Sequence, residues 1–230
     1  MVYKLDESLL ADLPPFSLLE KAQIRLILDQ AVSRRFEAGS SIFDEGAVAD
    51  RFFLLLDGTI RVVKITVDGE QVTSLHIPAG QLFGIAKALG HDTYPATSIA
   101  ASEVLALSWP TSLWQTFVAD YPGFATETFQ TVGRRVNEMN TRIVEMSTQR
   151  VEQRIVRALL RLVHQSGRKT DEGIEINFPL TRKDVSEMTG TTLQTVSRLL
   201  SAWEKDGLVA SKRKKIVICD AHRLAVLGEM

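Results

Sequence analysis

Gln194, Thr195, Ser197, Arg198 and Ser201 fall on one side of a stretch with helical period, and each carries a side chain that donates or accepts hydrogen bonds. Behind them Val196, Leu199, Leu200 and Trp203 recur at i, i+3, i+4 and i+7, the stripe a helix turns toward its core. A row of Gln, Ser and Arg held out from such a helix suits the edges of bases. Arginine reaches guanine O6 and N7 together, and glutamine does the same at adenine N6 and N7. Downstream, "ASKRKKIVI" puts Lys212, Arg213, Lys214 and Lys215 at the tip of a strand-turn-strand pattern, where cations meet phosphates without reading sequence. Two other uses of such a face stay open: a plain solvated helix pair, and protein contacts.

The elements that must carry these residues are legible on either side. Thr181 opens a short helix with Asp184 at the third position of a capping box, Val185 and Met188 face inward, and Gly190 closes it. A second helix follows within a few residues, started by Thr191-Thr192, so the pair reads as a helix-turn-helix with a wing after it. Thr191-x-x-Gln194 is itself a capping-box spacing, which gives Gln194 a competing structural role. Thr181, Thr191, Thr192 and Ser197 are the candidates for backbone phosphates, with Lys212, Arg213 and Lys214. Gln194 and Arg198 are the candidates for bases, with Thr195 on the same face.

Upstream, Val132, Val136, Met139, Ile143 and Met146 step by four and three, a heptad seam flanked by Arg134, Arg135, Glu138, Arg142 and Glu145. Such a helix lies on its own β domain or pairs with a second copy; the narrow seam between long charged flanks favours the dimer. Ser147-Thr148-Gln149 carries no core residue and reads as a hinge before a second helix, "VEQRIVRALLRLVHQSG". The polar "RKTDEG" then reads as a loop and "IEINFPL" as a short strand. Residues 34–109 are rich in Ile, Val and Phe and punctuated by Gly39, Gly46, Gly58, Gly69 and Gly80, the pattern of a small all-β roll. Asp57-Gly58 and Asp68-Gly69 are tight-turn dipeptides and predict antiparallel hairpins. Before the roll, Ser17 is placed to cap a helix running to about Ala31.

Composition narrows the classes. Cys219 is the only cysteine, so an internal disulfide, an ordinary iron-sulfur cluster and a cysteine-built zinc site are excluded. No apolar run reaches the roughly 18 residues that span a bilayer, and the start "MVYKLDESLL" lacks the basic and apolar regions of an export signal, so a cytoplasmic protein off the membrane is expected. Residues 151–230 hold 14 Lys and Arg against 10 Asp and Glu, while residues 1–150 hold 13 against 18. A basic C-terminal module points to a polyanionic partner.

With these residues in view, the chain resembles the CRP/FNR superfamily of bacterial transcription regulators along nearly its whole length. "FDEGAVADRFFLLLDGTIRVVK" is similar to the family's roll strands, and "LTRKDVSEMTGTTLQTVSRLLSAWEKDGLV" to its DNA-reading segment. The resemblance implies an α+β fold: a cupin-like β-roll sensor with its N-terminal helix over 1–110, a long dimerisation helix over 111–148, and a winged helix-turn-helix over 149–230. It implies a non-enzymatic homodimer on palindromic double-stranded DNA, with RNA polymerase as a further partner. The family's recognition pattern Glu-Thr-Val-Ser/Gly-Arg appears as Gln194-Thr195-Val196-Ser197-Arg198, so Arg198 carries over and the glutamate does not.

The family's effector pocket maps to Phe83, Gly84, Ile85, Pro95, Ala96, Met139 and Asn140. Where members that bind cyclic AMP hold ribose with a glutamate and phosphate with an arginine, this chain has Gly84-Ile85 and Pro95-Ala96. A cyclic nucleotide would lack its counter-charge, so cyclic AMP is not the expected effector. "FGIAKALGHDTYPATSIA" is similar to the nitrogen-oxide responsive subgroup, which implies haem with nitric oxide, or another small ligand. His76 and His91 are then either haem ligands or solvated surface groups. Two rival readings are a cyclic-nucleotide-binding regulatory protein without DNA activity and a metal-dependent cupin-like enzyme built on His76, His91 and Glu103.

Overall fold

Phe52, Phe53, Leu54 and Leu55 form an unbroken apolar run, and a strand with that run needs cover on both faces. The chain supplies the cover with paired sheets and helices. The computed structural model describes residues 5–229; the first four residues, part of the stretch read for an export signal, lie outside them. In order come helix α1 (Lys21–Leu28) and strands β1 (Val32–Phe36), β2 (Ser41–Phe43), β3 (Arg51–Asp57), β4 (Thr59–Ile65), β5 (Gln71–Pro78), β6 (Leu82–Phe83), β7 (Thr97–Ala100) and β8 (Val104–Pro110). Helices α2 (Trp114–Asp120), α3 (Pro122–Thr148) and α4 (Val151–Ser166) follow. The chain continues through β9 (Gly167–Thr170), β10 (Gly173–Ile176), α5 (Arg182–Thr189), α6 (Leu193–Lys205), β11 (Val209–Lys212), β12 (Lys215–Ile218) and α7 (Ala221–Leu227). This mixed architecture is the α+β class expected, with β-rich and helix-turn-helix parts joined by a long helix.

By contacts the chain divides into two units, one of residues up to Val62 with Ile77–Glu138, the other of Val63–His76 with residues from Met139 onward. The first unit contains the sheet β1-β8-β3-β6, in which Phe53 pairs with Ser108 on one side and Phe83 on the other. Its core is aromatic. Phe52 stacks on Trp109 at 5.5 Å and meets Trp114 and Phe117 edge-on at 5.1 and 5.8 Å, geometry that suits the ring quadrupoles. Trp109 Nε1 donates to the Ile27 carbonyl at 2.8 Å, which ties α1 to β8 and satisfies a buried donor.

Two local expectations are corrected, one in the roll and one before it. Asp68-Gly69 does join neighbouring strands, but Asp57-Gly58 is no hairpin, because β3 belongs to the sheet β1-β8-β3-β6 and β4 to the sheet β2-β7-β4-β5. Gly58 turns a corner between sheets. Its φ is +92° and a β-carbon there would lie 2.2 Å from the Glu103 carbonyl, so only glycine fits. The N-terminal helix begins at Lys21, not after Ser17: Glu20 is its cap, accepting back-support through Gln23 Oε1, which receives the Glu20 N–H at 3.0 Å. Ser17 instead donates to the Pro14 carbonyl, because Pro14-Pro15 has already set a tight 3-10 turn there.

The second unit packs α4, α5, α6 and α7 with the sheet β11-β12-β10-β9. Ile155, Leu159, Leu162, Val185, Val196, Leu200 and Trp203 are all buried in it. "RKTDEG", read as a loop, is largely strand: Arg168 pairs with Glu175 and Thr170 with Gly173 across β9 and β10. Its polar residues gave no apolar alternation, and backbone pairing carries the strand regardless. Between α3 and α4 the helix does break, with Arg150 extended at ψ 153°.

Candidate nucleic-acid interface

Thr181 caps α5 as its spacing predicts. The Asp184 N–H donates to Thr181 Oγ1 at 3.1 Å, and the Thr181 N–H donates to Asp184 Oδ2 at 2.7 Å. Gly190 ends the helix at φ +59°, a left-handed conformation glycine adopts without penalty. The cap of α6 is Thr192, one residue later than the Thr191 spacing suggests: Thr195 N–H donates to Thr192 Oγ1 at 3.2 Å. The Thr191-Gln194 capping box therefore does not form, and Gln194 is left exposed. Arg198 is exposed beside it, one turn along. Thr195 and Ser197 are partly covered, Thr191 half-buried and Thr192 exposed.

The wing follows at once. Val209 to Lys212 pairs with Ile218 to Lys215, leaving Arg213 and Lys214 at the turn. Arg213 takes a positive φ of 47°, unusual for a residue with a β-carbon, and the turn is pinned by the Leu180 N–H donating to the Lys214 carbonyl at 2.8 Å. Lys212 lies 4.0 Å from Glu172, and Lys215 forms a closer pair with Glu175 at 3.2 Å. The Lys215 hydrogen bond, with help from Arg168, holds the Glu175 carboxyl below its usual range. Lys212, Arg213 and Lys214 are exposed.

One residue that sequence reasoning missed holds this face together. Arg182, at the start of α5, donates to the Ser197 carbonyl at 3.4 Å, to Ser201 Oγ at 3.2 Å and to both Glu204 carboxylate oxygens at 3.3 Å, and reaches Ser211 Oγ of β11 at 3.3 Å. A single guanidinium thus fixes α5, α6 and the wing strand to one another, a use of its five rigid donors that lysine lacks. The only signal in sequence was an arginine one position after a helix cap. Ser201, read as part of the exposed polar face, is occupied by this contact.

Of the residues expected to line an effector pocket, Phe83, Gly84, Ile85, Pro95 and Ala96 belong to the first unit and Met139 and Asn140 to the second. Phe83 is buried and stacks on Phe53 at 4.8 Å, and Phe43 stacks on Tyr94 at 3.8 Å. A β-carbon on Gly84 would meet Phe53 and Phe43 at 3.0 to 3.2 Å, so the rings close over this position. Ile85 is buried in the apolar core, where the family's ribose-holding acid would stand, while Pro95 is exposed and Ala96 half-buried. Met139 and Asn140 are exposed residues of the other unit. Arg135, from α3, donates to the Leu82 carbonyl at 2.6 Å and to Gln81 Oε1 at 3.2 Å. Burial lowers its pKa to about 10, so it stays protonated at neutral pH.

The two histidines sit in different surroundings. His76 is 6% exposed within β5, and its ring stacks on Phe178 at 5.2 Å, which covers one face of the imidazole; His91 is an exposed loop residue. An open cleft of about 500 Å³ in the first unit is lined by Val48, Asp50, Lys87, Asp92, Trp114 and Gln115, and by none of the pocket residues expected. Among the described residues there is no group of three or more His, Cys, Asp or Glu that could hold a metal ion. No helix among them is long and apolar enough to cross a membrane.

Comparison with known proteins agrees with this geometry. Residues 33–121 match the cyclic nucleotide-binding domain family, and residues 153–227 match the Crp-like helix-turn-helix domain family. The CRP-like cAMP-activated global transcriptional regulator of Mycobacterium tuberculosis is 24% identical over 95% of this chain and 98% of its own length. Electron transport regulator A of Shewanella oneidensis is 27% identical over 87% of this chain and 81% of its own. The structure of FixK2 from Bradyrhizobium japonicum superposes with a TM-score of 0.75 at 19% identity, covering 86% of this chain and 96% of that one. With both domains matched in order, and relatives aligned over nearly its full length, the chain belongs to the CRP/FNR superfamily of transcription regulators.

Proposed function

We propose that this protein is a homodimeric regulator that reads a palindromic DNA site with α6, under control of an effector sensed by its roll. The observation that carries the reading is the exposed pair Gln194 and Arg198 on a helix whose opposite face is buried, beside wing cations placed for phosphates. In this reading residues 149–230 bind DNA, residues 111–148 pair with a second copy, and residues 1–110 sense. Gln194 and Arg198 face bases, with Thr195 on the same side of α6. Thr181, Thr191, Thr192, Ser197, Lys212, Arg213 and Lys214 hold backbone, and action on DNA places the protein in the cytoplasm.

The pairing is supported by α3. Val136, Met139, Ile143 and Met146 are 49%, 46%, 62% and 43% exposed, a run of apolar side chains at heptad spacing left largely open to solvent. Val132 is half-covered by the aromatic core, so the seam opens from Val136 onward. The effector of this reading is a small ligand other than cyclic AMP, since Ile85 and Pro95-Ala96 supply no charge for a phosphate or a ribose hydroxyl. RNA polymerase is the natural partner of such a regulator.

Selection from a pool of random duplexes tests the reading. The expected product is an inverted repeat whose half-site centres lie roughly one helical turn, about 34 Å, apart. Enrichment of no sequence over the starting pool would overturn it.

A further inference from the structure

The joint between α3 and α4 is held by charge. From Ser147 to Arg150 the chain carries no apolar side chain, and the helix breaks at Arg150. Glu145, one turn before the break, is only 5% exposed. Arg161 of α4 donates through Nη1 to both its carboxylate oxygens, at 2.7 and 2.8 Å, and Arg157 Nη1 stands 3.9 Å away. A carboxylate this buried is tolerated only with such a partner, and the partner's geometry then fixes it in place.

A second guanidinium works across the same joint. Arg154 donates to the carbonyls of Met146 and Gln149 at 3.3 and 3.4 Å, and makes a long contact of 3.5 Å with the Gly190 carbonyl. Gly190 is the residue that turns α5 into α6, and a β-carbon there would lie 3.6 Å from Met146 Cε. The last residue of the exposed seam therefore sits against the turn that launches the candidate recognition helix. Two helices joined by so short a break swing with the backbone angles of one or two residues; a bridge from Glu145 to Arg161 spans the break and removes that freedom.

We infer that Glu145 is a positioning residue for DNA recognition: its bridge to Arg161 sets the angle between α3 and the domain that carries α6, and through it the spacing of two α6 helices in a dimer. The inference rests on the DNA-binding reading above, and its test separates the two. Spin labels on Val144→Cys and Ala202→Cys, in a Cys219→Ser background and diluted with unlabelled chain, report the angle within one chain without DNA. The unsubstituted joint is expected to give one narrow distance distribution. Glu145→Gln, nearly isosteric and uncharged, is expected to broaden it, and the charge swap Glu145→Arg with Arg161→Glu to narrow it again.

On the selected duplex, Glu145→Gln is expected to bind about tenfold more weakly, and to lose most of the preference for the selected half-site spacing over spacings one base pair longer or shorter. General destabilisation would weaken all three duplexes alike. An unchanged distance distribution in Glu145→Gln, or an unchanged spacing preference, overturns the positioning role, as does failure of the swap to restore what the single change lost. If selection enriches no duplex, the functional reading fails, and the label distances still decide for or against the bridge.

Discussion

Arg198 and Lys214 are both exposed cations, yet one lies on the face of α6 and the other at the wing turn, and different work is expected of them. Arg198→Ala is expected to cost about 1–3 kcal/mol at one base pair and to relax preference there. Lys214→Ala is expected to weaken binding to all sequences and flatten the salt dependence by about one ion. Titrations on matched and mismatched duplexes at several salt concentrations distinguish them; equal loss of specificity from both contradicts the assignment. Cys219 offers a third check: burial first and the Glu172 charge second raise its thiol pKa, so it stays protonated at neutral pH and is expected to alkylate more slowly than a free small-molecule thiol. The Thr181 cap of α5 and the polar face of α6 were legible at this scale because they are local. Arg182 and Glu145 were not, since their partners Ser211, Glu204 and Arg161 lie 29, 22 and 16 residues away on other elements. Glu145, Arg135 and Arg142 read only as charged flanks of a heptad. Each instead turns inward, Arg142 onto the Ser74 carbonyl.

At the scale of elements, α3 and α6 invite opposite substitutions. Ile143→Asp on the exposed seam is expected to leave the fold intact and convert the dimer to monomers, read by sedimentation, because a charge replaces apolar contact only where two chains meet. Trp203→Ala behind α6 is expected to destabilise the chain by about 3–5 kcal/mol in denaturant unfolding, since the ring is buried and its Nε1 also donates to Glu152 Oε1 at 3.3 Å. Helices with an apolar stripe were read correctly in kind, and α4, α5 and α6 in place as well. Strands were read less well, because pairing is nonlocal: nothing near Asp57-Gly58 says that β4 leaves for another sheet, and polar β9 shows no alternation at all.

At the scale of the molecule, order of parts was the most legible feature, since β-rich roll, long helix and winged domain each have their own period. The sensing chemistry was not. A positional correspondence named Phe83, Gly84 and Ile85 as pocket, and only packing reveals that aromatic rings and apolar core surround them. Calorimetric titration with cyclic AMP is accordingly expected to give no binding, and saturable heat would contradict the reading of Ile85 and Pro95-Ala96.

The central claim is that two chains, joined along α3, read two half-sites at once. Sedimentation equilibrium of the protein on the selected duplex tests it most directly, beside a duplex keeping one half-site. The account predicts two chains per full duplex and much weaker binding to the half-site. One chain per duplex, bound equally well to both, would contradict it.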